Sequence, residues 1–250
     1  MIASLQHRSK TYKIDLSKPL DISIPLRFDG KGVNAWYIDG PSIAPHVDGD
    51  FIGSVEKGAP VNFNSISFNP HSHVTHTENL GHITKEKYSV NRYLKQYFFL
   101  AELITVAPEK IGDDFAISKK QLQYALGLKK REAVVIRTLP NTKDKMNRKY
   151  SHTNPPYLAE DAAHYLREKG VLHMLIDLPS VDKEKDDGKL AAHKAFWHLQ
   201  GVPRKEATIT EFVYVDNSIL DGCYMLNLQV APFENDASPS RPVLFRITNI

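Results

Sequence analysis

Several features that define other classes of protein are missing or scarce in this sequence of 250 residues. Cys223 is the single cysteine, so no disulfide can form within the chain and nothing points to an oxidising compartment. The chain has no run of about eighteen apolar residues, and its first residues lack the apolar core of a secretion signal. We therefore expect a cytoplasmic protein that does not associate with membranes.

Charge and catalytic motifs exclude further classes. The 32 basic and 29 acidic residues nearly balance, and the short basic stretches at 129–131 and 143–149 lack interleaved aromatic residues, so we expect no nucleic-acid partner. The sequence contains no Gly-x-Ser-x-Gly, which argues against a serine hydrolase, and no His-Glu-x-x-His, the helical zinc motif. A small molecule is the expected substrate.

Histidine is concentrated in the segment from His71 to His82, which holds four of the eleven histidines of the chain and also Glu78. Imidazole and carboxylate ligands suit zinc, manganese or iron(II), and the absence of cysteine here argues against a closed structural zinc site. The segment therefore predicts an open, catalytic metal centre rather than a polar loop that happens to be rich in histidine.

The spacing within this segment restricts which side chains can meet. In an extended chain, His76, Glu78 and His82 point to the same side, so all three can approach one ion. His71 and His73 have the opposite parity, so at most one of them joins the group, and only if a bulge or turn follows it. Pro70 makes such a break plausible, and the choice between the two histidines stays open.

Strand and helix signals alternate in the second half of the chain, which predicts an α/β fold. The apolar run at 133–138 is typical of a strand covered on both faces. Helices are predicted at 118–125, where Ser118 and Gln121 form a capping box, at 158–169, ended by Gly170, and at 189–199. No linker is evident, so residues 1–250 are predicted to form a single domain. Further strands are predicted at 13–16, 22–26, 171–176, 211–215, 224–231 and 243–247.

At these positions the chain resembles the putative cyclase family of metal-dependent hydrolases, which includes bacterial kynurenine formamidases and isatin hydrolase. Thr75-His76-x-Glu78-x-x-x-His82 is similar to part of the family motif His-x-Gly-Thr-His-x-Asp-x-Pro-x-His. Segments 14–20, 135–138 and 176–182 resemble the family's opening strand, its Leu-Leu-Arg-Thr strand and its Asp-x-x-Ser-Val-Asp segment. The resemblance implies the swivelling β/β/α fold, a mixed sheet with flanking helices.

The resemblance also implies a role for individual residues. His82 would be the proton donor and acceptor, and Trp36 would stack against the substrate. His73 is the alternative to His71 as first ligand, and His198 is the alternative to His193. The implied ligands of one or two divalent ions, zinc or manganese, are His71, His76, Glu78, His193 and Glu211, with the two glutamates bridging.

Some residues depart from the family motif. Glu78 stands in place of aspartate, Val74 in place of glycine and Leu80 in place of proline. One extra residue lies between His71 and His76, and it would supply the altered backbone path that the longer glutamate requires. Asp177 and Asp182 are candidates either to orient an imidazole or to serve as turn or cap residues.

These observations predict a metal-dependent hydrolase of a carbon–nitrogen amide bond, in an arylformamide or a cyclic amide. A divalent ion would lower the pKa of bound water, and His82 would move the proton. The alternative is a metal-binding or small-molecule-binding protein without turnover on the same fold. The resemblance further implies a homodimer or homotetramer.

Overall fold

The computed structural model describes residues 1–7 and 9–248, which form strands, short helices and connecting loops. Five α-helices and three 3₁₀-helices occur in this part of the chain. The α-helices are α1 (Pro70–His73), α2 (Val90–Tyr93), α3 (Lys119–Leu126), α4 (Glu160–Glu168) and α5 (Ala191–Trp197), and the 3₁₀-helices are Val55–Lys57, Leu80–Ile83 and Lys143–Met146. The strands are β1 (Ile2–His7), β2 (Lys10–Asp15), β3 (Leu20–Asp21), β4 (Ser42–Pro45), β5 (Val47–Asp48), β6 (Phe51–Ile52), β7 (Asn64–Ser67), β8 (His76–Glu78), β9 (Phe98–Val106), β10 (Glu109–Ile111), β11 (Asp114–Ile117), β12 (Ala133–Thr138), β13 (Tyr157–Leu158), β14 (His173–Ile176), β15 (Thr208–Glu211), β16 (Gly222–Asn227), β17 (Ala237–Pro239) and β18 (Val243–Arg246).

A mixed sheet organises the molecule. Its strand order is β17-β8-β15-β14-β12-β9-β16-β18-β3. The four central strands β15, β14, β12 and β9 are parallel, whereas β8, β17, β16, β18 and β3 join through antiparallel ladders. The predicted α/β class, with a mixed sheet and flanking helices, is confirmed.

The central strand β12 shows how the two faces of this sheet are buried. Val134 and Ile136 face a core that includes α3, α4 and α5, with Trp197 among its largest side chains. Ala133 and Val135 face a second apolar cluster on the opposite side of the sheet. Because both faces are covered, an uninterrupted apolar strand is the expected sequence, as predicted for 133–138.

The three predicted helices are present: α3 is shifted by one residue from its predicted range, and α4 and α5 are shorter than predicted. Ser118 caps α3, and the side chain of Gln121 reaches back to the backbone of Ser118, so the predicted capping box is formed. Gly170 follows the last turn of α4 with a φ of 82°, a left-handed conformation that glycine adopts readily.

The strand predicted at 22–26 is not formed, and the strands predicted at 211–215 and 224–231 end early, the latter at Asn227. At 22–26 the chain makes only an isolated bridge, from Ser23 to Val213, and Pro25 has no N–H with which to extend a ladder. The predicted strand at 211–215 instead ends at Glu211, because Phe212 has a φ of 55° and turns the chain out of the sheet.

Residues 42–67 form an arm built from β4, β5, β6 and β7, in which β4 pairs only with β7. Ile43 and Ile66 lie opposite each other in that ladder, and both are about half exposed. In the described part of the chain, none of the buried apolar clusters draws a side chain from the arm. The hydrogen bonds found for the arm in the described chain also join arm residues to one another, so the apolar cores of the body do little to stabilise it.

None of the helices within residues 1–7 and 9–248 has both the length and the apolar character needed to cross a membrane.

His173, at the start of β14, generates a prediction about stability and pH. Its ring packs against Phe99 with ring centroids 4.0 Å apart, and its Nδ1 lies 2.9 Å from Thr208 Oγ1. Burial, with a smaller contribution from Arg204, lowers the pKa of His173 to about 3. Between the unfolded pKa of about 6.5 and the folded pKa, the unfolded chain binds a proton at this imidazole and the folded chain does not. The free energy of unfolding therefore decreases as the pH falls through this range.

We therefore expect His173→Gln to remove part of the acid sensitivity. Between pH 7 and pH 5, the free energy of unfolding of the unmodified protein should fall by ~2 kcal/mol more than that of the variant. Urea titrations at both pH values measure the difference. His164→Gln, on the surface of α4, is the control, and an equal fall in the His173 variant and the unmodified protein would contradict the prediction.

Candidate metal centre

The candidate site lies at the carboxyl ends of the parallel strands, where β15 and β8 meet. In the antiparallel β8–β15 ladder, His76 lies directly opposite Glu211. His76 and Glu78 share one face of β8, while Thr77 on the other face contacts Thr210, with 2.8 Å between their Oγ1 atoms. His76 Nε2 is 3.4 Å from Glu211 Oε2 and 4.0 Å from Glu78 Oε2. Strand alternation therefore places His76 and Glu78 on the same side of β8, as the sequence predicted.

His71 joins the group through the one-turn helix α1, which begins at Pro70 and changes the direction of the chain before β8. The carboxamide of Asn69 caps this turn by accepting a hydrogen bond from the His71 N–H at 2.9 Å. His71 Nδ1 lies 3.1 Å from Glu78 Oε2. His73 instead points away, with its Nδ1 accepting from the Asn69 N–H and its Nε2 3.0 Å from the Asp39 carbonyl. The turn also takes up the extra residue before His76.

His82 reaches the site from a 3₁₀-helix rather than from an extended segment, so its predicted parity with Glu78 does not explain its position. Its Nε2 is 3.9 Å from Glu78 Oε2, and its ring stacks on His71 with centroids 4.2 Å apart. The side chain of His82 is 32 % exposed, in contrast to the fully buried His76. His82 is therefore the imidazole of the group that is most open to solvent and to a ligand.

His193 enters from α5 on the opposite side of Glu78, with 3.0 Å between its Nε2 and Glu78 Oε1. Asp182 Oδ2 lies 2.5 Å from His193 Nδ1, and the same carboxylate accepts from the N–H groups of Ala192 and His193. Asp182 thus both caps the helix and orients the ring. His198 follows the end of α5 in a separate groove beside His164.

The electrostatics of the group centre on Glu78, whose side chain is fully buried. Burial alone would raise the pKa of Glu78, but the imidazoles of His82, His193 and His71 outweigh it and hold the pKa well below its usual range. Burial would lower the pKa of His193, but Asp182 and Glu78 raise it to about 10. His71 behaves likewise, because Asp236 and Glu78 raise its pKa to about 10 against the effect of burial.

Two buried atoms indicate that this donor set fits a cation. His76 Nε2 and Glu78 Oε2 form no well-aligned hydrogen bond within the described residues, although His71 Nδ1 lies 3.1 Å from Glu78 Oε2, and buried polar atoms without such bonds are rare and costly. The Nδ1 of His76 faces the Val74 carbonyl at 3.1 Å, so it carries the proton and leaves the Nε2 lone pair directed into the site. Within the described chain, no lysine or arginine forms an ion pair with Glu78 or Glu211. Imidazoles and carboxylates arranged in this way are the ligands of zinc, manganese or iron(II).

A cavity of about 350 Å³ opens above these residues. Trp36, Ile38 and Leu190 supply apolar surface, and His82 and Lys183 are among its polar lining. Trp36 Nε1 donates to the His71 carbonyl at 3.0 Å, so the indole is fixed beside the metal-ligand candidates. Trp36 and the following residue both have left-handed φ values, 64° and 60°, and such strain in non-glycine residues is often found at ligand sites.

Asp236 is a residue of this site that the sequence did not reveal. Its Oδ2 lies 2.9 Å from His71 Nε2 and 3.3 Å from His82 Nδ1. It stands more than 150 residues after His82, and no local motif marks it. Only the pairing of β17 with β8, which the sequence does not specify, would have indicated it. Asp177, the other candidate carboxylate, instead pairs with Lys145 at 2.7 Å and does not join the group.

Comparison with known families identifies the family of this chain. A family model described as "Cyclase: Putative cyclase" matches residues 14–183. The chain therefore belongs to the putative cyclase family, as its motifs predicted. Among curated proteins, it is 29% identical over 235 residues to the kynurenine formamidase of Bacillus anthracis, covering 91% of this chain and 97% of the relative. It is 30% identical over 234 residues to the kynurenine formamidase of Bacillus thuringiensis strain Al Hakam, with the same coverage.

Solved structures show the same fold at lower sequence identity. A potential metal-dependent hydrolase with cyclase activity superposes with a TM-score of 0.66 at 18% identity, covering 91% of this chain and 97% of the other. Isatin hydrolase A from Labrenzia aggregata, bound to benzyl benzoate, gives a TM-score of 0.65 at 13% identity, covering 92% and 94%. At these identities the likeness concerns the fold.

The position of His76 predicts the effect of removing it. His76→Ala should reduce bound zinc or manganese to near zero, because a fully buried imidazole directed at Glu78 and Glu211 is lost. Plasma mass spectrometry after chelation and reloading measures the metal content. His198→Ala, outside the group, should keep the content of the unmodified protein, and an unchanged metal content in His76→Ala would refute the assignment.

Proposed function

We propose that this chain is a metal-dependent amidohydrolase that cleaves the carbon–nitrogen bond of an arylformamide or a cyclic amide. The observation that carries the proposal is the convergence of three imidazoles on the buried Glu78 carboxylate, with a fourth, His82, on the side open to the cavity. The curated relatives are kynurenine formamidases, which supports amide hydrolysis as the reaction. The proposed metal ligands are His71, His76, Glu78, His193 and Glu211, for one or two ions of zinc or manganese.

When bound, a divalent ion supplies a Lewis acid that makes water a nucleophile near neutral pH and polarises the amide carbonyl. The Val181 N–H donates to Oε1 of Glu211 at 2.9 Å and fixes this carboxylate. The other oxygen, Oε2, faces His76 and is the proposed ligand atom. Asp182 fixes the ring of His193 in the same way, through Nδ1, and leaves Nε2 facing Glu78. The protein thus presents preset ligand atoms rather than flexible ones.

His82 Nε2 is the proposed proton carrier. It accepts a proton from the attacking water and delivers it to the leaving nitrogen, which is the step that an amide requires before the amine can depart. An aryl amine is a better leaving group than an alkyl amine because it is less basic. His82 suits this role by position, since it combines closeness to Glu78 with exposure to the cavity.

Trp36 is the proposed contact for an aromatic substrate. The 350 Å³ cavity is at the lower end of the range for small-molecule sites, so it suits a single aromatic group with a short substituent. Trp36, Ile38 and Leu190 would cover the ring, while the amide points towards His82. N-formylkynurenine, formanilide and isatin are therefore the three probes of choice, since they separate open-chain from cyclic amides.

His82→Ala tests the proton-transfer role. We expect kcat to fall by about 10²- to 10⁴-fold, the usual contribution of a general acid–base residue, with metal content unchanged. Steady-state hydrolysis of whichever probe the unmodified protein turns over, alongside elemental analysis, measures both.

His198→Ala, outside the site, should match the unmodified protein in both measurements. Full activity in His82→Ala would remove His82 from the mechanism. Bound metal without hydrolysis of any probe by the unmodified protein would favour the alternative, a binding protein on the same fold.

We also propose that the chain assembles as a homodimer or homotetramer through the arm at 42–67. Several large apolar side chains of the arm are more than half exposed, and a two-stranded ribbon without a packed face is only marginally stable in water. The arm leaves the body of the chain just after Ile38 and returns at Asn69, and both of these residues line the cavity. The exposed large apolar residues are Ile43, Val47, Phe51, Val55, Val61, Phe63 and Ile66.

Ile66→Asp tests this assembly. A carboxylate in the middle of β7 would have to be desolvated in an interface, so we expect the variant to shift towards the monomer at concentrations where the unmodified protein is an oligomer. Sedimentation velocity measures the distribution. Leu128→Asp, at a fully exposed position after α3, is the control. A monomeric unmodified protein would contradict the proposal.

A further inference from the structure

The carboxylate of Asp236 joins two imidazoles of the site that otherwise come from different turns of the chain. One oxygen, Oδ2, lies 2.9 Å from His71 Nε2 and 3.3 Å from His82 Nδ1. Between them the two rings stack with centroids 4.2 Å apart and an interplanar angle of 28°. No lysine or arginine in the described part of the chain forms an ion pair with Asp236. The imidazoles of these two histidines are thus the ionisable groups that face it.

Backbone contacts fix Asp236 relative to the ligand strand. It immediately precedes β17, in which Ala237 lies opposite Glu78 of β8. The Asn79 N–H donates to the Asp236 carbonyl at 3.1 Å, and the Val90 N–H donates to the Asn235 carbonyl at 2.9 Å. The carboxylate is therefore held by the same ladder that positions Glu78, rather than by a free loop.

This contact determines which nitrogen of each ring can act in the site. A carboxylate accepts a hydrogen bond and cannot donate one when ionised, so the nitrogen that faces it carries the proton. For His82 the proton is then on Nδ1, and the Nε2 atom, 3.9 Å from Glu78 Oε2, presents its lone pair. For His71, Asp236 holds the proton on Nε2, so Nδ1, which lies 3.1 Å from Glu78 Oε2, is the nitrogen that would offer its lone pair to a cation.

We propose that Asp236 is a positioning residue that sets the orientation and the tautomer of His82, the proton carrier, and of His71, a metal ligand, at the same time. The part that concerns His82 rests on the proposed function, whereas the part that concerns His71 rests on the metal centre alone. A single carboxylate thereby couples ligand geometry to proton transfer.

The kinetic test combines Asp236→Ala with His82→Ala. At saturating metal, Asp236→Ala should lower kcat by about 10- to 100-fold, the usual effect of losing a carboxylate that orients an imidazole, with a smaller change in KM. In the His82→Ala background, the same substitution should lower kcat much less, because only its effect through His71 remains. Losses in kcat that multiply in full would overturn the proposal, because Asp236 would then act independently of His82.

Two further variants make the kinetic result specific. Asp236→Asn keeps an acceptor oxygen and should recover part of the kcat that Asp236→Ala loses. Glu234→Ala removes a neighbouring carboxylate that pairs with Arg92 outside the site, and it should leave kcat unchanged. Equal losses in Asp236→Asn and Asp236→Ala, or a loss in Glu234→Ala, would indicate a general effect on the loop and overturn the proposal.

Readouts that do not need turnover separate this inference from the proposed function. Chelator competition should show that Asp236→Ala binds zinc or manganese about 10- to 100-fold more weakly with unchanged stoichiometry. A lower stoichiometry would overturn the positioning role in favour of Asp236 as a ligand, since His71, His82 and Asp236 are close enough to hold an ion themselves. Crystals of metal-free Asp236→Ala should show the His82 ring turned from its position, and an unmoved ring would also overturn the proposal. If the unmodified protein hydrolyses no amide, the proposed function fails while these two measurements still decide the role of Asp236.

Discussion

The complete burial of the Glu78 carboxylate is the constraint on which the rest of the site depends. An ionised carboxylate away from water is tolerated only when partners surround it. Here the partners are imidazoles from α1, the 3₁₀-helix after β8, and α5, and two further carboxylates, Asp182 and Asp236, hold the outer nitrogens of those rings. The positions of three separate segments are therefore set around one side chain, and an approaching cation meets ligands that are already oriented.

The sequence predicted the part of this arrangement that depends on local geometry. His76 and Glu78 lie two residues apart in a strand, so alternation alone puts them on one face. The same rule could not decide between His71 and His73, because the one-turn helix α1 replaces the period of a strand by that of a helix. Strand alternation also predicted that His82 lies on the side of Glu78, which is correct, but the cause is different. A 3₁₀-turn, and not an extended segment, brings the His82 ring to the site.

Features that depend on distant parts of the chain were harder to predict. The family motifs led to His193 and Glu211 because those residues follow recognisable segments. Asp236 follows no motif, and its place is fixed by a ladder between strands far apart in sequence. The end of β15 was predicted wrongly for a related reason. The β-branched residues after Glu211 have strand propensity, but the left-handed backbone at Phe212 turns them away from the ladder and into an apolar cluster on one face of the sheet.

The position of β8 within the sheet has a consequence for the order of events during synthesis. β8 emerges early, yet its two neighbours in the sheet, β15 and β17, are encoded more than 120 residues later. Until both have left the ribosome, the segment that carries His76 and Glu78 has no ladder to join, and pairings of this sequence separation form slowly. A nascent chain therefore exposes the unpaired segment from His71 to His82 for much of its translation. Metal binding at this site belongs to the last stage of maturation.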